Sequence, residues 1–158
     1  MRKRIIRALT VSLIVMLFPV TTHASSVAIE KDVQNEGYYF ETEIVDESLM
    51  TLDNAIQASK GTKTKSKRTS YKNASGKVMW YVQVTGTFTY GNGTAKCTKS
   101  SVTAASNNST WKIVSKSASK SGSKATATAK ARHYNNGIPA ELLTKSVTLT
   151  CSPNGTIK

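Results

Sequence analysis

Acid–base catalysis needs a histidine or paired carboxylates placed by a second polar group. Beyond residue 59 the chain has only His133 and Glu141, eight positions apart across a turn signal. No aspartate follows Asp53, so a serine or threonine nucleophile would have to recruit its triad acid from far upstream. His133 also lacks a partner at zinc spacing. Gly91-Asn92-Gly93 joins two strand patterns rather than a strand and a helix, which fits a hairpin and not a phosphate loop. The expectation is therefore a non-enzymatic chain with no catalytic residue, no metal and no cofactor.

Two other sets of side chains carry chemistry. Cys97 and Cys151 are the only cysteines. In an oxidising compartment such a pair is most simply a disulfide. Closing a loop of about 55 residues is worth on the order of 4 kcal/mol in the chain-entropy account. The second set is the run Lys60, Lys63, Lys65, Lys67, Arg68 and Lys72. If extended, it places Lys63, Lys65 and Lys67 on one face about 7 Å apart, a charge ladder suited to a polyanion. Arg68 follows directly. A charged edge strand that discourages aggregation explains the same run. Tyr71, Tyr81 and Tyr90 offer either stacking surface or ordinary buried rings.

The N-terminus supplies the compartment. Arg2, Lys3, Arg4 and Arg7 precede an uncharged stretch from Ala8 to Val20, and Thr22-His23-Ala24 precedes Ser25. This is the layout of a cleaved export signal over residues 1–24, with an apolar stretch too short to cross roughly 30 Å of hydrocarbon. Ser25 stands where a lipoprotein would need cysteine. The expected location is extracellular.

Charge divides what remains. From Ser25 to Ser59 eight acids face Lys31 alone, and from Lys60 onward seventeen bases face Glu141 alone, giving nets of −7 and +16. Residues 25–59 are read as an acidic arm, with partial disorder or removal as a propeptide as the alternatives to an ordered arm, and residues 60–158 as a basic β-sandwich domain. A cationic domain outside the cell meets anionic wall polymers or a membrane surface. Its charge is almost all lysine, with Arg68 and Arg132 the only arginines, which argues against specific nucleic-acid reading.

The elements that must position these residues read as β-strands. Val78, Trp80, Val82, Val84, Phe88 and Tyr90 share one parity, and Met79, Tyr81, Gln83, Thr85, Thr87 and Thr89 the other. Gly86 interrupts the apolar side, marking a bulge or a close backbone approach. Strands are expected near 62–71, 94–104 and from Trp111. Ala125, Ala127, Ala129 and Ala131 form a small-residue stripe at a period of two, leaving room opposite for Trp80 and Trp111. Val147, Leu149 and Cys151 share an inward face, as Ala95 and Cys97 do. In the arm, Tyr38 to Val45 alternates as a short strand and Glu47 to Ala58 suits a short helix. The fold class is all-β, with about six to seven antiparallel strands in an immunoglobulin-like β-sandwich or a small barrel. The cysteine and tryptophan order does not match antibody domains.

The segments Gly76-Lys77-Val78-Met79-Trp80, Gly86-Thr87-Phe88-Thr89-Tyr90, Ala95-Lys96-Cys97, Ser109-Thr110-Trp111-Lys112 and Leu149-Thr150-Cys151-Ser152-Pro153-Asn154-Gly155 together resemble a family of small secreted proteins of uncharacterised function from Gram-positive bacteria, clostridia among them. The resemblance spans about Lys60 to Lys158 and implies an exported, disulfide-closed domain, with no catalytic residue to transfer. The expected role is electrostatic association with anionic cell-envelope polymers. The alternative is a secreted bacteriocin-like antagonist whose acidic arm masks the basic domain.

Overall fold

The structure is a computed structural model that describes residues 30–33, 37–45 and 60–158. The expected export signal and the expected helix over 47–58 lie outside the described residues. Among the described residues eight strands are present: β1 (Glu30–Val33), β2 (Tyr39–Val45), β3 (Gly61–Lys72), β4 (Val78–Gly91), β5 (Thr94–Ser106), β6 (Trp111–Ser121), β7 (Lys124–Asn135) and β8 (Ile138–Thr150). The described residues contain no α-helix. All pairs are antiparallel, in a five-stranded sheet ordered β1-β2-β3-β4-β5 and a three-stranded sheet ordered β6-β7-β8.

Every hydrogen-bonded neighbour is also a neighbour in sequence. The topology is therefore a meander in two layers and lacks the Greek-key crossover of an immunoglobulin domain. The count of eight exceeds the six to seven expected, because the acidic segment supplies two strands to the larger sheet. Hairpin geometry explains the simple path. Asn92 and Gly93, between β4 and β5, have φ of 51° and 74°, and Asn136 and Gly137, between β7 and β8, have φ of 49° and 81°. Two consecutive positive φ values make the turn whose twist matches flanking strands.

The core lies between the inward faces. The larger sheet contributes Phe40, Tyr71, Trp80, Val82, Val84, Phe88 and Cys97, and the smaller contributes Trp111, the four alanines, Val147 and Leu149, all buried. The alanine stripe of β7 is 0–1% exposed, as its period of two requires. Met79 departs from the alternation. A bulge between Tyr71 and Lys72 pairs Tyr71 with Trp80 and Lys72 with Val78, so Met79 is the extra residue and turns inward.

One side of the sandwich is closed. Cys97 N donates to Gly122 O at 2.8 Å and Lys120 Nζ donates to Thr98 O at 2.5 Å, which seats the β6–β7 turn on β5. On the other side a cleft of about 500 Å³ opens between β1, β2 and β3 and the edge strand β8.

The expected Cys97–Cys151 disulfide is not formed. Both side chains are inward and 2% exposed, but each is a thiol that donates to a nearby carbonyl: Cys97 Sγ to Lys99 O at 3.2 Å, Cys151 Sγ to Ser152 O at 3.4 Å. With both S–H groups satisfied locally, burial is reached without a covalent link.

Candidate functional site

The lysine run divides between the two faces of β3. Lys63, Lys65, Lys67, Thr69 and Tyr71 share a face, with Thr69 and Lys67 lining the cleft and Tyr71 in the core. The ladder thus runs along the inner face of the larger sheet, beside the smaller sheet's edge. Lys63 is tied down there, donating to Gly155 O at 3.4 Å and lying 5.2 Å from the Tyr90 ring centroid. Arg68 points outward, where its Nε donates to Gln83 Oε1 at 2.9 Å and its guanidinium stacks 4.4 Å from Tyr81. The four residues are neighbours in sequence but do not present one surface.

The cleft brings together residues that no local pattern links. Lys145 on β8 reaches Asp32 on β1 at 3.1 Å and lies 4.3 Å over the Phe40 ring. Glu30, Lys31, Thr42, Lys67, Thr69 and the β8 residues 146–148 complete the walls, although the Ser146 and Thr148 hydroxyls bond to Thr128 and Thr126 on the outer face of the smaller sheet. On the other face of the same half of the larger sheet, Lys72 pairs with Glu41, and this contact holds the Lys72 ammonium above its ordinary pKa despite partial burial. Two charges of the acidic segment, Asp32 and Glu41, are thus answered by lysines of the basic one.

At the end of the sandwich bearing the β3–β4 and β7–β8 turns, His133 and Glu141 are direct cross-strand partners. His133 stacks on Trp111 at 4.8 Å and 21°. Tyr71 packs edge-on to Trp111 at 5.3 Å and stacks with Tyr38 at 5.4 Å. Burial first, then the Glu141 charge and Tyr38, push the Tyr71 phenol up to about 12, so it stays protonated at neutral pH. The group presents aromatic faces and one carboxylate. Among the described residues, no three His, Cys, Asp or Glu side chains are grouped as a metal site.

The two thiols flank one turn. Cys97 N donates to Gly122 O at 2.8 Å and Cys151 N to Ser123 O at 3.0 Å, so consecutive carbonyls hold both backbones. Burial pushes both thiols up. Lys120 and a backbone hydrogen bond with Lys99 partly offset this at Cys97, while at Cys151 Lys63 offsets it and the neighbouring Cys97 adds to it. Sequence reasoning placed both cysteines on inward faces and missed Lys145, Asp32 and Phe40 as one group, since Asp32 and Lys145 lie 113 residues apart.

No protein-family model, no curated protein and no solved structure matches this chain.

Proposed function

We propose that the chain is an exported, non-enzymatic β-sandwich that holds to anionic polymers of the cell envelope by electrostatic attraction. The observation that carries this reading is the charge beyond residue 59, seventeen bases against one acid. Lys60, Lys96, Lys99 and Lys124 have exposed side chains with access to a polyanion. Lysine ammoniums act as point charges and suit a flexible anionic chain better than base-specific reading. Export follows from the charged and apolar layout of residues 1–24.

Co-sedimentation of residues 25–158 with isolated cell walls tests the reading. Binding at low salt that is lost at high salt is expected. A protein that stays in the supernatant at low salt overturns it.

The Lys72–Glu41 and Lys145–Asp32 pairs favour one second reading, a secreted antagonist whose acidic segment masks the basic one. That reading expects D32N/E41Q to kill neighbouring bacteria more strongly than the parent protein. Equal or absent killing by both removes it.

A further inference from the structure

We infer that the polyanion docks end-on, at the β4–β5 turn and the adjoining β6–β7 turn, with a recess between Lys60 and Lys96 as its phosphate-anchoring point. The inference rests on the proposed wall-binding role and gives it a place and a ligand class, a phosphodiester-linked chain without bases.

The geometry begins with Gly91. A Cβ there would lie 2.6 Å from Lys60 Cα, so the glycine lets the backbone at Lys60 press against the turn. Beside this contact is a recess of about 150 Å³ lined by Lys60, Thr89, Tyr90, Gly91, Asn92, Thr94 and Lys96. Two lysines and three hydroxyl residues, Thr89, Tyr90 and Thr94, line it, and no carboxylate side chain does. The Cys97 N to Gly122 O bond sets the β6–β7 turn alongside, bringing Lys120 and Lys124 to the same end. Lys99 stands farther along β5, opposite Thr87. The acids among the described residues lie elsewhere. Glu41 and Glu43 pair with Ser70 and Arg68, Glu30 and Asp32 with Thr42 and Phe40, and Glu141 with His133. β2 ends opposite Ser66, short of the Gly61–Tyr90 pair that marks this end.

The ligand class follows from what lines the site. Compact ammoniums suit a tetrahedral phosphate, and no arginine fork is present to select a planar carboxylate. Binding single-stranded nucleic acid would call for an open aromatic platform. The one ring here, Tyr90, is covered by Lys63 on one side and lies against Gly155, where a Cβ would come within 2.5 Å of it. A phosphodiester chain without bases is the better fit.

The test uses residues 25–158, fluorescently labelled poly(glycerol phosphate) and an oligo-dT of equal charge. K60Q/K96Q/K99Q/K124Q is compared with K77Q/K112Q/K116Q/K130Q, which removes the same charge elsewhere. The first set is expected to weaken polymer binding by at least about tenfold and flatten its salt dependence, the second by less than about threefold. In the unsubstituted protein, the polymer should shield Lys60 and Lys96 from acetylation and leave Lys112 and Lys130 reactive, a readout independent of variant folding. Equal losses from the two sets, an unshielded Lys60 and Lys96, or tighter binding of oligo-dT each overturn the end-on phosphate site while leaving wall association standing. Absence of binding to both polymer and walls instead overturns the wall-binding role and this inference with it.

Discussion

Gly86 sits on the inward face of β4 because no side chain fits there. A Cβ would lie 2.6 Å from the Phe88 ring and 2.9 Å from Ala125 Cβ, and the bulge between Thr87 and Phe88 follows directly. The glycine lets the Phe88 ring lie across the strand and meet the alanine stripe of β7. Gly86→Ala is expected to overpack this contact and destabilise the protein by about 1–3 kcal/mol, read as a lower denaturant midpoint at unchanged slope. The alanine stripe is the other half of the same fit. Ala127 is 0% exposed beneath the larger sheet, so Ala127→Leu should cost about 1–3 kcal/mol, whereas Thr128→Val on the outward face should stay within about 1 kcal/mol. Equal effects from the two β7 substitutions would mean that the strand does not bury the face assigned to it.

Strands with one apolar face were legible in the sequence, and strands without one were not. β4 and β7 follow their alternation closely, and β2 follows it through Phe40, which is 4% exposed between Tyr71 at 4.8 Å and Trp80 at 5.7 Å. β1 has no such signal, since all four of its residues are exposed and it is held by pairing with β2. β8 begins at Ile138, well ahead of the Val147, Leu149 and Cys151 alternation, because an edge strand tolerates Pro139, which pairs with Tyr134 at a bulge. The cleft escaped notice for a different reason: a meander of two sheets brings β1 to β8, and no local spacing encodes that contact. Phe40 is the anchor of this half of the larger sheet. Phe40→Ala is expected to cost about 3–5 kcal/mol. It should also raise amide exchange in β1 and β2 before it does so in β4, because their packing on the smaller sheet passes through this ring. Exchange rising first in β4 would contradict that order.

Across the whole molecule, the groups with displaced pKa values agree in direction, and this gives the fold an alkaline limit. Both thiols are raised from 9.0, Tyr71 from 10.0 to about 12, and Lys72 from 10.5. A group raised on folding contributes stability that is whole below its unfolded value and is lost as pH climbs through the folded one. The reduced protein is therefore expected to hold its melting temperature from neutrality to about pH 9 and to lose it progressively above. Tyr71 begins to contribute at about pH 10, so Tyr71→Phe should flatten the fall between about pH 10 and 12. Melting curves across pH in the presence of reductant, on the parent and the variant, read both effects. An onset well below about pH 9, or a fall between about pH 10 and 12 unchanged by Tyr71→Phe, would show that burial of these groups is not what resists their ionisation.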